Sequence, residues 1–135
     1  MGPRYLLDTN IFIYIRRGRP TEVMARFARL EPGEAALSVI TYGELLYGIE
    51  KKRTDPQALQ RLEELVGMMQ VMPLPAEAGR TYGLLRAALE IRGEIISNND
   101  LWIAAHAITA NLTLVTNNER EFKRVAGLRI ENWAA

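Results

Sequence analysis

The chain has 135 residues, 17 Lys and Arg against 16 Asp and Glu, and no cysteine. That length suits one domain with a substantial core, expected to span residues 1–135. The missing cysteine excludes a disulfide framework and a thiolate metal site, and a net charge of +1 gives no general basic character. No apolar run approaches the roughly 20 residues of a membrane span. Asp8, Thr9 and Asn10 interrupt the N-terminal apolar stretch before it reads as a secretory signal. No membrane partner is expected, and the cytoplasm is the expected compartment.

Apolar runs then alternate with helical patterns, the signature of βαβ units. Residues 5–7 read as the first strand, and an apolar helix over 11–15 follows, closed by Gly18. Thr21 is placed to cap a helix presenting Val23, Phe27 and Leu30. Residues 35–39 form the second strand, and the next helix carries the stripe Tyr42, Leu45 and Ile49. Asp55 as cap and Pro56 at the first position open a helix with Leu59, Leu62, Val66 and Met69 on one face. A weaker strand over 71–74 leads to a long helix with the stripe Ala78, Tyr82, Leu85 and Leu89, which Gly93 ends. The helix over 99–110 is apolar almost all round and therefore buried. Residues 112–116 make the fourth strand, with the continuous apolar character of a buried parallel strand. A short helix bearing Phe122 and Val125 precedes a last strand over 128–130. The expected class is α/β, a three-layer sandwich around a mainly parallel central sheet.

Sites in open α/β sheets form beyond the carboxyl ends of the strands. Asp8 ends the first strand, and Asn117 and Asn118 end the fourth, with Glu119 and Glu121 just beyond. Glu44 lies early in the helix after the second strand, and Asp100 begins the buried helix. Each acid has a structural alternative. Asp8 suits the cap of the first helix, while Thr41 with Glu44 and Ser97 with Asp100 have the spacing of capping boxes. Glu119 and Glu121 suit plain first-turn acids favoured by the helix dipole. Convergence on one sheet edge argues for a site, and Asp100 argues most, because an unpaired carboxylate on a buried helix is expensive.

Carboxylates gathered together repel, and a hard divalent cation relieves the repulsion. Mg²⁺ or Mn²⁺ takes oxygen ligands and keeps waters. One His and no Cys leave no ordinary zinc site. The chemistry left open is metal-assisted attack of water on a phosphodiester. The basic residues are unevenly spread: Arg4, Arg16, Arg17, Arg19, Arg26 and Arg29 crowd the first thirty positions, and Lys51, Lys52 and Arg53 form a second cluster. They suit solvated helix ends or contacts to an anionic substrate equally.

Four segments carry a family resemblance. Leu6-Leu7-Asp8-Thr9-Asn10 resembles the opening of PIN domains, and residues 38–45, with Ser38, Thr41 and Glu44 at three-residue steps, resemble their second motif. Residues 99–107, beginning Asn99-Asp100-Leu101-Trp102, resemble the third. Leu114-Val115-Thr116-Asn117-Asn118 with Glu121-Phe122 resembles the fourth. Order, spacing and length resemble the VapC toxins of toxin–antitoxin pairs across essentially the whole chain. The resemblance implies a Mg²⁺-dependent endoribonuclease that cuts transfer or ribosomal RNA, forms a homodimer and is neutralised by a VapB-like antitoxin. It implies that Asp8 and Asp100 hold the metal and that Glu44 completes the pocket and orients water. Thr9 and Thr116 sit where the family has hydroxyls bonded to the acids. Many relatives carry Asp where this chain has Asn118, and Glu121 is the candidate to supply the fourth acid. Arg16, Arg17 and Arg19 are the candidates for holding the RNA backbone.

Other residues read as packing. His106 is expected to be a satisfied core residue, Met68, Met69 and Met72 core or dimer contacts, and Trp102 and Trp133 packing aromatics. Two phosphotransfer enzymes are excluded: position 10 is Asn where a haloacid-dehalogenase-like site needs Asp, and the acids of a receiver domain are absent. The remaining rival is a non-catalytic PIN fold kept for RNA or protein binding.

Overall fold

Five short strands organise the chain in a computed structural model that describes residues 2–52 and 55–134. They are β1 (Tyr5–Leu7), β2 (Ala35–Ser38), β3 (Gln70–Met72), β4 (Thr113–Val115) and β5 (Ile130–Glu131). Their order is β3-β2-β1-β4-β5 and every neighbouring pair is parallel. The connections are α1 (Thr9–Arg17), α2 (Thr21–Ala28), α3 (Val39–Lys52), α4 (Ala58–Val66), α5 (Ala78–Arg92), α6 (Asn98–Thr109) and α7 (Glu119–Phe122). Among the described residues no helix is long and apolar enough to cross a membrane.

The pleat sends successive side chains to opposite faces, so each central strand feeds two cores. Tyr5, Leu7, Leu37 and Val115 pack with Ile11, Phe12, Val23, Leu45 and Leu62 on one face. Leu6, Ala36 and Leu114 pack with Leu89, Leu101, Ile103, Ala104 and Phe122 on the other. Helices therefore cover both faces, the expected three layers, and both-sided burial explains why the strands read as unbroken apolar runs. In α6, Leu101, Ile103, Ala104, Ala105, His106 and Ala107 are all buried, as its all-round apolar character required.

Several local expectations are corrected. Thr21 is the first residue of α2 rather than its cap; Pro20 holds the cap position without a side-chain bond. Thr41 and Glu44 form no capping box. The helix starts at Val39, directly from β2, and the Ser38 hydroxyl accepts the Ile40 N–H at 3.2 Å, leaving Thr41 inside the helix. Asp55 accepts from the Gln57 N–H at 2.9 Å in a turn that precedes α4, so Pro56 is not in that helix. Leu59 faces out at 46% exposure, and Leu65 takes its place against the core. The third strand sits at Gln70–Met72 and the last at Ile130–Glu131, each displaced from its expected range because pairing with a neighbour, not apolarity, sets the ends. Gly18 and Gly93 end α1 and α5 at φ 76° and 69°, a left-handed backbone that glycine adopts without strain.

Leu114 lies in a strand paired on both sides and has no exposed surface. Leu114→Ala is expected to destabilise the protein by about 3 kcal/mol. The change is read as a lower denaturant midpoint at unchanged slope. Leu59→Ala, at an exposed position, is expected to shift it by less than about 0.5 kcal/mol.

Candidate active site

The strand order changes direction between β1 and β4: the chain leaves β1 for β2 on one side, and β4 lies on the other. A crevice opens at the carboxyl ends of strands at such a point. Asp8 is the residue that follows β1 there. Its N–H donates to the Val115 carbonyl at 2.9 Å, continuing the ladder, and only 7% of the residue is exposed. One carboxylate oxygen accepts the Thr9 N–H at 2.8 Å, capping α1, and the other accepts the Thr116 hydroxyl at 2.8 Å. Asp8 therefore caps α1, as its position suggested.

The other acids arrive from three helices. Glu44, in α3, accepts the Thr9 hydroxyl at 2.8 Å through Oε1 and the Asn99 side-chain amide at 3.3 Å through Oε2. Asp100, in the first turn of α6, donates its N–H to the Ser97 hydroxyl at 3.4 Å, the N-cap contact that the spacing suggested. Glu121, in α7, accepts the Asn118 amide at 2.8 Å through Oε2, while the Asn118 N–H donates to the Thr116 hydroxyl at 3.0 Å. Glu119 turns elsewhere and accepts from Asn132 at 3.1 Å.

The electrostatics tie these groups together. The Asp100 carboxyl is pushed up to about 7, first by burial, then by a hydrogen bond with Glu121 and by the Asp8 charge, against the Ser97 bond. Asp8 is also raised by burial; its Thr116 and Thr9 bonds oppose this, and the charges of Glu44 and Glu121 add to it. Among the described residues, no Lys or Arg side chain forms an ion pair with any of the four acids. No three of the described acids already enclose a point as a ready-made cage. The donor set still fits a hard divalent ion. It is all oxygen, its acids repel one another, and Mg²⁺ is typically held by one or two carboxylates with water completing its shell.

The basic candidates divide. Arg16 and Arg17 line a cleft of about 500 Å³ that starts at Thr9 and Glu44 and runs between α1, α3 and α4, with Lys52 and Arg61 further along. Arg19 is not in it; it borders a second hollow of about 400 Å³ that Arg17 shares. Arg4 and Arg26 are paired with Glu34 at 3.0 Å and Glu131 at 2.7 Å, so they are structural. Arg53 lies outside the described residues.

His106 is fully buried, with Nδ1 2.8 Å from the Ser38 hydroxyl. Its Nε2 has no partner among the described residues, so it is a packing residue satisfied on one nitrogen only, and burial lowers its pKa. Met68 is exposed, whereas Met69 and Met72 pack against the two cores. Trp133 is buried and packs edge-on against Tyr5, and Trp102 stacks on Tyr82. The Asn99 contact to Glu44 and the Asn117 contact to Tyr14 were not expected from sequence. Both asparagines lie inside the motifs, but spacing does not say which amide reaches across to another helix.

Known proteins resemble this arrangement throughout. The PIN domain family matches residues 5–128. Ribonuclease VapC2 of Rickettsia felis is 41% identical over 130 residues, covering 96% of this chain and 97% of the relative. The tRNA(fMet)-specific endonuclease VapC of Shigella flexneri is 39% identical over 131 residues, covering 97% and 98%. The structure of DNA-bound VapBC from Salmonella typhimurium superposes at a TM-score of 0.90 with 35% identity, covering 98% of this chain and 99% of that one. The chain belongs to the PIN-domain family, among its VapC ribonucleases. Ribonucleases of this family are generally dependent on a divalent metal.

The raised Asp100 carboxyl has a consequence for stability. An unfolded Asp loses its proton near pH 4, whereas the folded one keeps it to about 7. The native state thus binds more protons across that window, and metal-free stability falls as pH rises through it. The melting temperature of metal-free protein is expected to drop between pH 4.5 and 7.5, and Asp100→Asn to flatten that drop. Equal slopes in the two proteins would remove Asp100 from the coupled site.

Proposed function

We propose that this chain is a Mg²⁺-dependent endoribonuclease, with Mn²⁺ able to substitute, and the toxin of a toxin–antitoxin pair. Its substrate is transfer or ribosomal RNA in the cytoplasm, so cutting it inhibits translation. The Shigella flexneri relative, named for tRNA(fMet), favours the transfer RNA side of that choice. A VapB-like antitoxin neutralises it, and the active species is a homodimer. The observation that carries this reading is the meeting of Asp8, Glu44, Asp100 and Glu121 at the crevice, without a side-chain cation among the described residues to neutralise them.

In this reading Asp8 and Asp100 hold the metal, and Glu44 and Glu121 complete the acidic pocket. An ion held there would supply a lowered pKa for a water and stabilisation of charge on the phosphoryl oxygen. Thr116 fixes the Asp8 carboxylate, and Thr9 with Asn99 fixes Glu44 so that it orients the attacking water. Asn118 offers no charge but donates to Glu121, which keeps that carboxylate turned toward Asp100. Arg16 and Arg17 hold the RNA backbone in the cleft that begins at Glu44.

Asp8→Asn, Glu44→Gln and Asp100→Asn are each expected to lower Mg²⁺-dependent cleavage of RNA by at least about 100-fold, or roughly 2.7 kcal/mol of barrier, with the fold intact. The three losses should not add, because positioned groups act as a unit. Wild-type rates in two of the three would sink the assignment, and RNA binding without any cleavage by the native protein would favour a binding module. Glu121→Gln is expected to cost about tenfold, roughly 1.4 kcal/mol, and Glu119→Gln nothing.

Removal of charge at Arg16 and Arg17 is expected to weaken RNA binding at low salt and make its salt dependence shallower, by about one unit of log–log slope per lost contact. An unchanged slope would make these arginines solvated helix ends.

A further inference from the structure

Further along α1 from Asp8, toward the C-terminal end of that helix, lies the hollow of about 400 Å³ bordered by Tyr14, Arg17, Arg19, Pro20 and Ala134. Asn10, Tyr14 and Arg17 follow helical spacing and share one face of α1. They form a strip that starts two residues after Asp8 and runs about 10 Å along the helix. The strip is joined to the site. Asn117 directly follows Thr116, the residue whose hydroxyl holds Asp8; its amide nitrogen donates to the Tyr14 phenolic oxygen at 2.8 Å, and its carbonyl oxygen accepts from Asn10 at 3.5 Å. Tyr14 is half-buried against the core, so its ring is held by packing at one side and by Asn117 at its tip. Arg17 and Arg19 are exposed, and neither has an acidic partner among the described residues.

An aromatic ring fixed in place, with two unpaired guanidinium groups at its side, suits an unpaired nucleobase and its phosphates. Bases of single-stranded RNA stack on Tyr rings and on guanidinium planes, while free guanidiniums take the backbone. A protein segment would need carboxylates to pair both arginines, whereas nucleic acid carries that charge on every residue. The volume falls in the usual range for pockets that hold a small molecule, roughly 300–1,000 Å³. We propose that this hollow is a subsite for one unpaired base of the RNA flanking the cleaved bond, stacked on Tyr14 with Arg17 and Arg19 on the adjoining phosphates. The proposal rests on the ribonuclease reading above and adds to it a determinant of which sequence is cut. Tyr14 and Arg19 act there as binding residues, on a surface that the cleft leading from Glu44 does not include.

The test separates binding from cleavage. Short single-stranded RNAs carrying 2-aminopurine at successive positions are bound to the full chain in metal-free buffer. Quenching is expected at one position, retained in Tyr14→Phe and lost in Tyr14→Leu, which keeps apolar bulk without an aromatic face. With Mg²⁺ present, an abasic site at that position is expected to lower the wild-type kcat/KM about tenfold, chiefly through KM. In Tyr14→Leu the same loss is already present, and the abasic site costs nothing further. Arg19→Gln, which leaves the core untouched, is expected to weaken binding several-fold at low salt and lessen its salt slope.

Quenching at no position, quenching that survives Tyr14→Leu, or an equal abasic penalty in both proteins overturns the subsite. An unchanged affinity and salt slope in Arg19→Gln overturns its phosphate contact. Position-specific quenching without any cleavage leaves the subsite standing and removes the ribonuclease reading instead.

Discussion

A buried carboxylate at the end of the central strand organises this molecule. β1 is paired on both sides and packed on both faces, so the next residue emerges where water is scarce and neighbouring charges are felt. Placing Asp8 there costs free energy, which its bonds to the Thr9 N–H and the Thr116 hydroxyl offset only in part; its carboxyl is still raised by burial. The Asp100 carboxyl is raised as well, to about 7, by burial joined by Glu121 and by Asp8 itself. A fold built only for stability would have placed a lysine or arginine among these groups. Among the described residues these acids are instead left to repel one another.

Neutral donors hold the acids. Thr9, Asn99, Thr116 and Asn118 each give a hydroxyl or amide proton to a carboxylate without cancelling its charge. Such donors fix orientation while leaving the charge available, which a salt bridge would not do. The support extends outward: the Thr116 N–H donates to the Glu131 carbonyl at 3.0 Å, so β5 pins the residue that pins Asp8. The edge strand is in turn fastened to α2, where Arg26 pairs with Glu131 and lies over the ring of buried Trp133. A residue at the far edge of the sheet therefore bears on the geometry at its centre.

The two faces of α1 divide the surroundings of the acids. Thr9, Ile13 and Arg16 look into the cleft toward α3 and α4, and Asn10 and Tyr14 look toward β4 and the smaller hollow, with Arg17 on the ridge between them. Because α1 begins at Asp8, both surfaces lead back to the same carboxylate. Among the described residues, basic side chains line both surfaces and none pairs with the acids themselves.

Much of this was legible in the sequence because its signals are local or periodic. Unbroken apolar strands, an all-round apolar α6 and glycine closures at Gly18 and Gly93 follow from burial and backbone sterics, and they yield a parallel three-layer sandwich. The edge of the sheet that bears Asp8, Glu44 and Asp100 follows from that topology. The errors were local competitions settled by packing: Ser38 rather than Thr41 takes the cap of α3 because the helix grows directly out of β2, and Leu59 loses its place to Leu65 where the core meets α4. What only the tertiary structure decided was which of several equivalent polar groups meet. Glu119 and Glu121 are alike in sequence, yet one turns to Asn132 and the other to Asn118 and Asp100. Residue type and spacing fix what a side chain is able to bond, but the partner it meets depends on helix positions set by packing far along the chain.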